Sequence, residues 1–310
     1  MNKEGRNDMT IPWTEEHIPD QTGRVAIVTG ANSGIGWEAA RALASKGATV
    51  IMACRSIANA NLAADRIQAL KPSGQVVVMA LDLGDLASVR AFAAAYRQNY
   101  QRLDLLINNA GVAHPPYGKT AQGFEQQFGT NHLGHFALTG LLLDLLGTTP
   151  GARIVTVSSI SHRSGVIHFD DLNLERNYKP SLGYAQSKLA NLLFTYELQR
   201  RLVAAGQSTL AVAAHPGWSA TNALRHSNFM RRLNPMFAQP PKMGVLPTLY
   251  AATAPDVQGG DYFGPSLLEL RGFPKKVESS PRSHDEAAAR RLWAVSEELT
   301  QVRYEFGDTF

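Results

Sequence analysis

Residues 25–36 read VAIVTGANSGIG, and this stretch decides the fold. A short apolar run passes directly into a turn that contains Gly30, Gly34 and Gly36, and the following residues, GWEAARALASKG, have a helical composition. In a strand–turn–helix context such glycines let the backbone approach a pyrophosphate, while the helix N-terminus faces its negative charge. Glycines also make ordinary turns, and the spacing T-G-x-x-x-G-x-G differs from the G-x-G-x-x-G form. The predicted cofactor contacts in this turn are Gly30, Asn32, Ser33, Gly34, Ile35 and Gly36.

The same alternation of strand and helix continues along the chain. Helices are predicted over about 56–70, 120–146, 242–254 and 283–300. The apolar runs between helices are continuous, which is typical of parallel strands buried on both faces. We therefore predict an α/β fold with a single Rossmann-type doubly wound parallel sheet and helices on both faces. The further strands are predicted from TVIMA, VVVMA, LDLLI, RIVTVS, TLAVAAH and GDYF.

No linker rich in Pro, Gly or Ser divides the sequence into separate domains. Residues 1–21 are predicted to form a polar N-terminal arm, with Trp13 and Ile18 docking on the body. Residues 22–310 are predicted to form one dinucleotide-binding catalytic domain.

Composition excludes several classes of protein. The 310 residues are 44% hydrophobic and 18% charged, which suits a large globular domain. A formal net charge of +4, scattered along the chain, does not indicate a nucleic-acid partner. Cys54 is the one cysteine, so no intrachain disulfide is possible, and a reducing compartment is compatible. No apolar run is long enough to span a membrane, and the N-terminus lacks the apolar core of a signal peptide. A cytoplasmic location is expected, and a homo-oligomer is compatible with the sequence.

Ligands of doubly wound sheets bind at the carboxyl ends of the strands, so the residues there are candidates for the site. Arg55 follows the second strand, where NAD-binding domains usually carry an acidic residue, and a basic residue suits a 2′-phosphate. A surface Arg placed there by chance is the alternative. After the third strand, Asp82 and Leu83 are predicted beside the adenine. Asp82 is equally suited to cap the next helix, as is Asp85.

The remaining strand ends contribute small and polar residues. Asn108 is expected at the cofactor, and the serines after the fifth strand are Ser158 and Ser159. The further predicted cofactor contacts at these strand ends are Asn109, Ala110, Gly111, Pro216, Gly217 and Thr221.

The segment YAQSK places Tyr184 and Lys188 four residues apart on a predicted helix, and hence on one face. Taken alone, this spacing occurs often by chance. Together with TGANSGIG, NNAG and HPG in this order, it closely resembles the short-chain dehydrogenase/reductase family, from about residue 23 to about 265. RIVTVSSISHRSG, HFDDLN and YAQSKLANLLFTYELQRRL are similar to its retinol-dehydrogenase-like branch, which includes WW-domain oxidoreductases.

The resemblance implies a catalytic group of Ser159, Tyr184, Lys188 and Asn131. The separation of 25 positions between Ser159 and Tyr184 is longer than is usual for the family, but the branch named above shares it. No membrane anchor like that of retinoid enzymes is seen, which counts against a retinoid substrate. The expected activity is the interconversion of an alcohol and a carbonyl with NADP(H) rather than NAD(H).

These side chains suit hydride transfer, because an alcohol must lose its hydroxyl proton as the hydride leaves. A free Tyr has a pKa of about 10. At an effective dielectric of about 20, a charge at about 4 Å is worth roughly 4 kcal/mol, so Lys188 is expected to bring the pKa of Tyr184 towards 7. Ser159 would stabilise the substrate oxygen, Lys188 would also hold the nicotinamide ribose, and Asn131 would hold a water that links Lys188 to solvent.

Two other functions share features of this sequence. A nucleotide-binding sensor or scaffold would be expected to lose Tyr184 or Lys188. A sugar-nucleotide epimerase shares Y-x-x-x-K, but it would be expected to have a larger C-terminal domain. His132 and His135 stand three apart without an obvious acidic or Cys partner, and no metal site is predicted.

A substrate lid is predicted over about 221–243. Phe229, Met230, Leu233, Met236 and Phe237 follow helical spacing and form an apolar face. This face could simply pack on the body; as a lid it would favour a lipophilic alcohol or carbonyl as substrate.

Overall fold

An eight-stranded sheet forms the centre of the protein, in a computed structural model that describes residues 12–218 and 239–306. Its strands are β1 (Val25–Thr29), β2 (Thr49–Cys54), β3 (Gln75–Ala80), β4 (Leu105–Asn108), β5 (Arg153–Val157), β6 (Leu210–Ala214), β7 (Tyr262–Leu267) and β8 (Arg271–Lys276). Their order across the sheet is β3-β2-β1-β4-β5-β6-β7-β8. The chain moves outward from β1 in one direction to β3 and then returns to continue on the other side with β4. The crevice outside the carboxyl ends of β1 and β4 is therefore the expected ligand site.

Seven of these strands pair in parallel, which confirms the predicted doubly wound sheet. The eighth differs, because β8 pairs with β7 in the antiparallel direction and forms a hairpin at the sheet edge. The sequence of β8, RGFPKK, is largely exposed and carries no buried residue, so it lacks the apolar run that marks the other strands. The segment of β8 is a strand because it pairs with β7 in a hairpin. Its own composition does not predict a strand there.

Helices cover both faces of the sheet, as predicted. Side chains of α1, α2 and α9 pack on one face with Ala26 and Val28 of β1. Side chains of α3, α5, α7 and α10 pack on the other face with Val25 and Ile27. The helices are α1 (Gly34–Ser45), α2 (Ile57–Gln68), α3 (Leu86–Asn99), α4 (Gln126–Phe128), α5 (Gly134–Leu141), α6 (Leu143–Thr148), α7 (Pro180–Ala204), α8 (Pro241–Gly244), α9 (Leu246–Thr253) and α10 (Glu286–Thr300).

The segment predicted as one helix over 120–146 is interrupted. It begins at Gln126, passes through a π-helical turn over Gly129–Leu133, and breaks again at Leu142. A β-carbon at Gly129 would lie 2.4 Å from Cγ2 of Thr120, so the chain approaches itself closely where the π turn begins. Wide turns of this kind are frequent at functional sites.

The first described residues pack against the body of the protein. Ile18 is 3% exposed within the core, and the ring of Trp13 lies 5.1 Å from the ring of Tyr250 in an edge-on arrangement. Glu15 forms ion pairs with Arg41 and Lys242. Although polar in sequence, the described part of this arm is therefore fixed to α1 and α8.

Most of the predicted lid, together with Thr221, lies outside the described residues. The chain resumes at Gln239, immediately before α8. Within the described ranges, no helix is both long and apolar enough to cross a membrane.

Candidate active site

The Gly-rich turn between β1 and α1 forms the floor of a cleft of about 930 Å³. Gly30 has a φ of +67°, and a β-carbon there would lie 3.0 Å from Ala110. A β-carbon at Gly36 would lie 2.4 Å from the carbonyl oxygen of Gly30. Neither position therefore has room for a side chain, and both glycines line the cleft. Of the predicted cofactor contacts, the following line this cleft: Gly30, Asn32, Ser33, Gly34, Ile35, Gly36, Arg55, Asp82, Leu83, Asn109, Ala110, Gly111, Tyr184, Lys188 and Pro216.

Thr29 joins the end of β4 to the Gly-rich turn. Its hydroxyl oxygen accepts hydrogen bonds from the backbone N–H groups of Asn109 and Ala110, each at 2.9 Å. The Asn109 side chain donates in return to the Thr29 carbonyl at 2.8 Å. Asn108 was expected at the cofactor, and this expectation is wrong. Its side chain is buried and donates to the hydroxyl of Thr139 at 3.1 Å, because alternate residues of a strand point to opposite faces.

At the adenine end of the cleft, a carboxylate and two cations lie on separate elements. Asp82 accepts a hydrogen bond from the backbone N–H of Gly84 at 2.9 Å, whereas Asp85 is the residue that caps α3. Arg55 lines the cleft after β2, and Arg66 of α2 lines it as well. The Arg66 guanidinium stands 5.2 Å from the centre of the Trp37 ring. Arg66 was missed in the sequence because it lies far from any strand end, and only the packing of α2 brings it to the cleft.

At the opposite end, the Ser159 hydroxyl lies near the Tyr184 phenol and acts to lower its pKa, while its oxygen accepts a hydrogen bond from the Ser161 N–H at 3.2 Å. Lys188 follows one helical turn later on α7, and its Nζ lies 5.7 Å from the centre of the Tyr184 ring. Nζ donates a hydrogen bond to the Val157 carbonyl at 3.0 Å, so the lysine is anchored to the end of β5. The neighbouring Ser158 donates to the Lys188 carbonyl at 2.8 Å, which fixes α7 against the same strand. The structure thus brings together three of the four predicted catalytic side chains.

Burial controls the protonation of this group. It raises the pKa of the Tyr184 phenol, and the nearby Ser159 hydroxyl lowers it by less. Burial also lowers the pKa of Lys188 to about 8, so the amine remains mainly protonated at neutral pH. The expected lowering of the pKa of Tyr184 by the charges of Lys188 and of an oxidised nicotinamide therefore stays a prediction. The loss of hydration is the larger effect, because both groups are enclosed.

Asn131 lies in the π-helical turn behind the cleft and is fully buried. Its side chain accepts from the Val112 N–H at 2.8 Å and donates to the Val112 carbonyl at 3.0 Å. It also donates to the hydroxyl of Ser187 at 3.0 Å. Asn131 therefore holds the loop after β4 against α7. Its side-chain oxygen is engaged by Val112, which leaves the predicted water-holding role without direct support.

The buried histidines near the site are engaged in packing. Burial lowers the pKa of His132 to about 3 and that of His135 to about 4. His132 pairs with the hydroxyl of Ser296, and His135 with that of Thr29, each at 2.9 Å. Among the described residues, no group of three His, Cys, Asp or Glu side chains is placed to hold a metal ion.

His114 is a further residue that sequence reasoning missed. Its ring centre lies 4.9 Å from that of Tyr184. Its φ of 55° is unusual for a residue other than glycine, and its N–H donates to Gln127 at 3.0 Å. The loop residues around it carry no motif, so only the fold reveals this contact.

Both the sequence and the fold have known relatives. The model of the short chain dehydrogenase family matches residues 24–231. Human retinol dehydrogenase 12 is 44% identical over 288 residues, which cover 91% of this chain and 88% of that protein. An uncharacterised protein of Mycobacterium paratuberculosis is 46% identical, with a TM-score of 0.82, over 95% of this chain and all of that one. A short chain dehydrogenase from Shigella flexneri, solved in complex with NADP, is 25% identical with a TM-score of 0.61, over 78% of this chain and 96% of that one.

The chain belongs to the short-chain dehydrogenase/reductase family, and its Rossmann-type sheet is that of the family. It is an oxidoreductase that interconverts an alcohol and a carbonyl on a small molecule with a nicotinamide cofactor. Within the family it lies in the retinol-dehydrogenase-like branch, as its similarity to human retinol dehydrogenases 11 and 12 shows.

Proposed function

We propose that this enzyme uses NADP(H) and acts on a lipophilic alcohol or carbonyl, with Tyr184 as the general acid and base. One observation carries the proposal. Tyr184 lies beside Lys188 and near Ser159 at one end of the cleft, while Arg55 and Arg66 lie at the other. A dinucleotide phosphate that spans the Gly-rich turn would reach both ends.

The proposed mechanism assigns one role to each side chain. When bound, the nicotinamide supplies or accepts the hydride. In reduction, Tyr184 donates its phenolic proton to the carbonyl oxygen, and the raised pKa of the phenol keeps that proton in place at neutral pH. Ser159 hydrogen-bonds the same oxygen as its charge develops. Lys188 keeps a positive charge near the phenol, which favours the phenolate left behind.

Asn131 is proposed to support this group from behind. Through Val112 and Ser187 it fixes the distance between the loop after β4 and α7. A proton relay from Lys188 through a water at Asn131 stays a prediction, as do a cytoplasmic location and a homo-oligomeric state.

The preference for NADP(H) is proposed from the cations at the adenine end. Arg55 stands at the end of β2, where NAD-binding domains usually carry an acidic residue, and Arg66 adds a second positive charge to the same side of the cleft. Both would bind a 2′-phosphate by charge-assisted hydrogen bonds. The related Shigella flexneri enzyme in complex with NADP supports the same choice.

Arg55→Ala is expected to weaken NADPH binding by about 10- to 100-fold, the value of a charge-assisted contact, and NADH binding by much less. Arg66→Ala should also weaken NADPH binding more than NADH binding, but by a smaller factor, because the Arg66 guanidinium also packs on Trp37. Titration of NADPH and NADH into each variant measures the ratio of the two affinities. Arg290→Ala, which removes an exposed cation of α10, is the control. Equal losses for NADPH and NADH in Arg55→Ala would contradict a phosphate-reading role.

A lipophilic substrate is proposed from the relatives and from the apolar sequence of the predicted lid. The relatives are retinol dehydrogenases, whose names indicate a long apolar alcohol. Near Tyr184 the described wall of the cleft carries Val112, Ala113 and Pro115, which offer no charge to a substrate.

In a series of aldehydes and ketones, kcat/KM is expected to rise with chain length or ring count, because each added apolar group leaves water on binding. The assay follows the loss of reduced-cofactor absorbance, with NADPH and with NADH. Short 2-oxo acids and aldose sugars, which carry a reducible carbonyl, serve as polar controls. A preference for the small, charged members of the set would contradict the lipophilic assignment, and turnover of none of them would contradict the proposed reaction.

A further inference from the structure

The turn that joins β7 to β8 has an unusual backbone. It spans Leu267 to Leu270, and it is closed by a hydrogen bond from the Leu270 N–H to the Leu267 carbonyl at 3.0 Å. Its two central residues, Leu268 and Glu269, have φ angles of 51° and 58°. Hairpin turns with two positive φ angles are usually built from Asn, Asp and Gly, because a β-carbon is strained there. Leu268 is 82% exposed, so its side chain does not explain the strain.

The carboxylate of Glu269 accounts for this geometry. One oxygen accepts a hydrogen bond from Nη2 of Arg163 at 2.7 Å. The other oxygen lies 3.2 Å from Nε2 of His215, within ion-pair distance; both atoms are buried, and neither makes a hydrogen bond among the described residues. His215 and Arg163 lower the pKa of Glu269, so the carboxylate is ionised at neutral pH. The strained turn thus delivers one negative charge between two basic side chains on different segments.

His215 is the more enclosed of the two partners. It is fully buried after β6, and its Nδ1 accepts a hydrogen bond from the Gly217 N–H at 3.2 Å. In the neutral imidazole the proton is therefore on Nε2, which faces Glu269. A β-carbon at Gly264 would lie 2.0 Å from Nε2, so the ring is packed directly on β7. The Gly217 N–H and the packing on Gly264 therefore orient the ring, with Nε2 towards the Glu269 carboxylate.

The residues held by His215 form the wall at the catalytic end of the cleft. Pro216 lines the cleft, and Gly217 has a φ of 62°; a β-carbon there would lie 2.4 Å from the Leu270 carbonyl oxygen. The same carbonyl accepts a hydrogen bond from the Trp218 N–H at 2.8 Å. Gln239 completes the connection, because its side chain donates to the Pro216 carbonyl at 2.9 Å and accepts from the Gly272 N–H at 3.1 Å.

Arg163 links the same carboxylate to the catalytic serine. It lies in the short 3-10 helix Ile160–Ser164, which Ser159 caps. The adjacent His162 has Nδ1 at 2.6 Å from the Ser159 carbonyl and accepts from the Ser280 N–H at 3.0 Å. Glu269 therefore joins the segment after β5 to the segment after β6.

We propose that Glu269 is a positioning residue that acts through His215 to set the Pro216–Gly217 turn at the nicotinamide end, and through Arg163 to hold that turn in register with Ser159. The inference rests on the placement of the nicotinamide beside Tyr184 in the proposed function. Glu269 itself does not line the cleft, so its effect on the reaction is indirect.

The test compares Glu269→Ala with Glu269→Gln. Glu269→Ala is expected to lower kcat by about 10- to 100-fold, because a misplaced reacting group loses rate on that scale, while the substrate KM changes little. Emission of the bound reduced nicotinamide should shift, because that ring senses the Pro216–Gly217 wall. Affinity for 2′,5′-ADP, which probes the adenine end alone, should be unchanged. Glu269→Gln keeps an acceptor for His215 and should recover most of kcat.

Two further variants complete the test. His215→Ala and the His215→Ala/Glu269→Ala pair should lose similar amounts of kcat if Glu269 acts through His215. Glu278→Ala removes an exposed carboxylate just after β8 but keeps the carbonyl that accepts from Arg163, and it should behave as wild type. The proposal would be overturned if Glu269→Ala kept the wild-type kcat and nicotinamide emission. It would also be overturned if the variant lost affinity for 2′,5′-ADP by the same factor as it lost kcat. If the wild-type protein binds reduced cofactor without turning over any carbonyl, the proposed reaction is wrong, while the emission shift still decides the role of Glu269.

Discussion

Tyr184→Phe is expected to lower kcat at least ~100-fold, because it removes the group that donates and accepts the proton. The phenyl ring keeps the packing against His114, and Lys188 keeps its hydrogen bond to Val157. Binding of the reduced cofactor, measured by titration, should therefore be close to wild type. The loss should appear in both directions of the reaction, since the same hydroxyl serves as acid in reduction and as base in oxidation.

The matched control is Tyr250→Phe. Tyr250 lies far from the cleft on α9, and its hydroxyl donates to Asp256 at the surface. This variant should retain wild-type kcat. Near-normal turnover in Tyr184→Phe would show that another group supplies the proton, and His114 would then be the first residue to replace.

Gly36→Ala is expected to abolish most cofactor binding, with at least a ~100-fold loss in affinity if the turn moves by about 1 Å. The added β-carbon would lie 2.4 Å from the Gly30 carbonyl oxygen and 2.6 Å from Nδ2 of Asn109. One of these contacts is backbone, so the turn itself must shift rather than a flexible side chain. Asn109 would be pushed from its hydrogen bond with Thr29, which ties β4 to the turn. Titration with NADPH and a thermal melt in the same buffer measure the two consequences separately.

Gly147→Ala is the matched control for this substitution. Gly147 lies on α6, and its added β-carbon would meet the end of the flexible Gln207 side chain at 3.0 Å. That side chain can move aside, so cofactor affinity should be unchanged and the melting temperature nearly so. If Gly36→Ala binds NADPH as tightly as Gly147→Ala does, the Gly-rich turn does not hold the pyrophosphate in the way described here.

The cleft could be predicted from the sequence because its walls follow directly from local patterns. Apolar runs mark the strands, and in a parallel sheet the residues after each run meet at one edge. Arg55, Asp82 and Pro216, which lie far apart in the chain, line one cleft for this reason. Tyr184 and Lys188 face the same way because a helix repeats every 3.6 residues.

The failures concern side-chain direction and packing between elements. Asn108 and Asn109 are adjacent in the sequence, but only Asn109 faces the cleft, since the end of a strand decides which side each residue takes. Arg66 and His114 reach the site because α2 and the loop after β4 pack as they do. No local pattern carries that information.

The protonation of the site is likewise a tertiary property. The sequence identifies Tyr184 and Lys188 as a chemical pair, but whether attraction or burial controls the pKa of the phenol depends on how much protein surrounds both groups. Here burial is the larger effect.

The hairpin of β7 and β8 is also decided by tertiary structure. Glu269 reaches His215 only because an exposed, polar segment pairs with a buried strand. The sequence by itself determined the parallel strands of the sheet, the Gly-rich turn and the spacing of the catalytic helix, since each follows from short-range periodicity. The charges, the hydrogen-bond partners and the groups that reach the cleft from distant segments were decided by packing, since they depend on which surfaces the folded chain brings together.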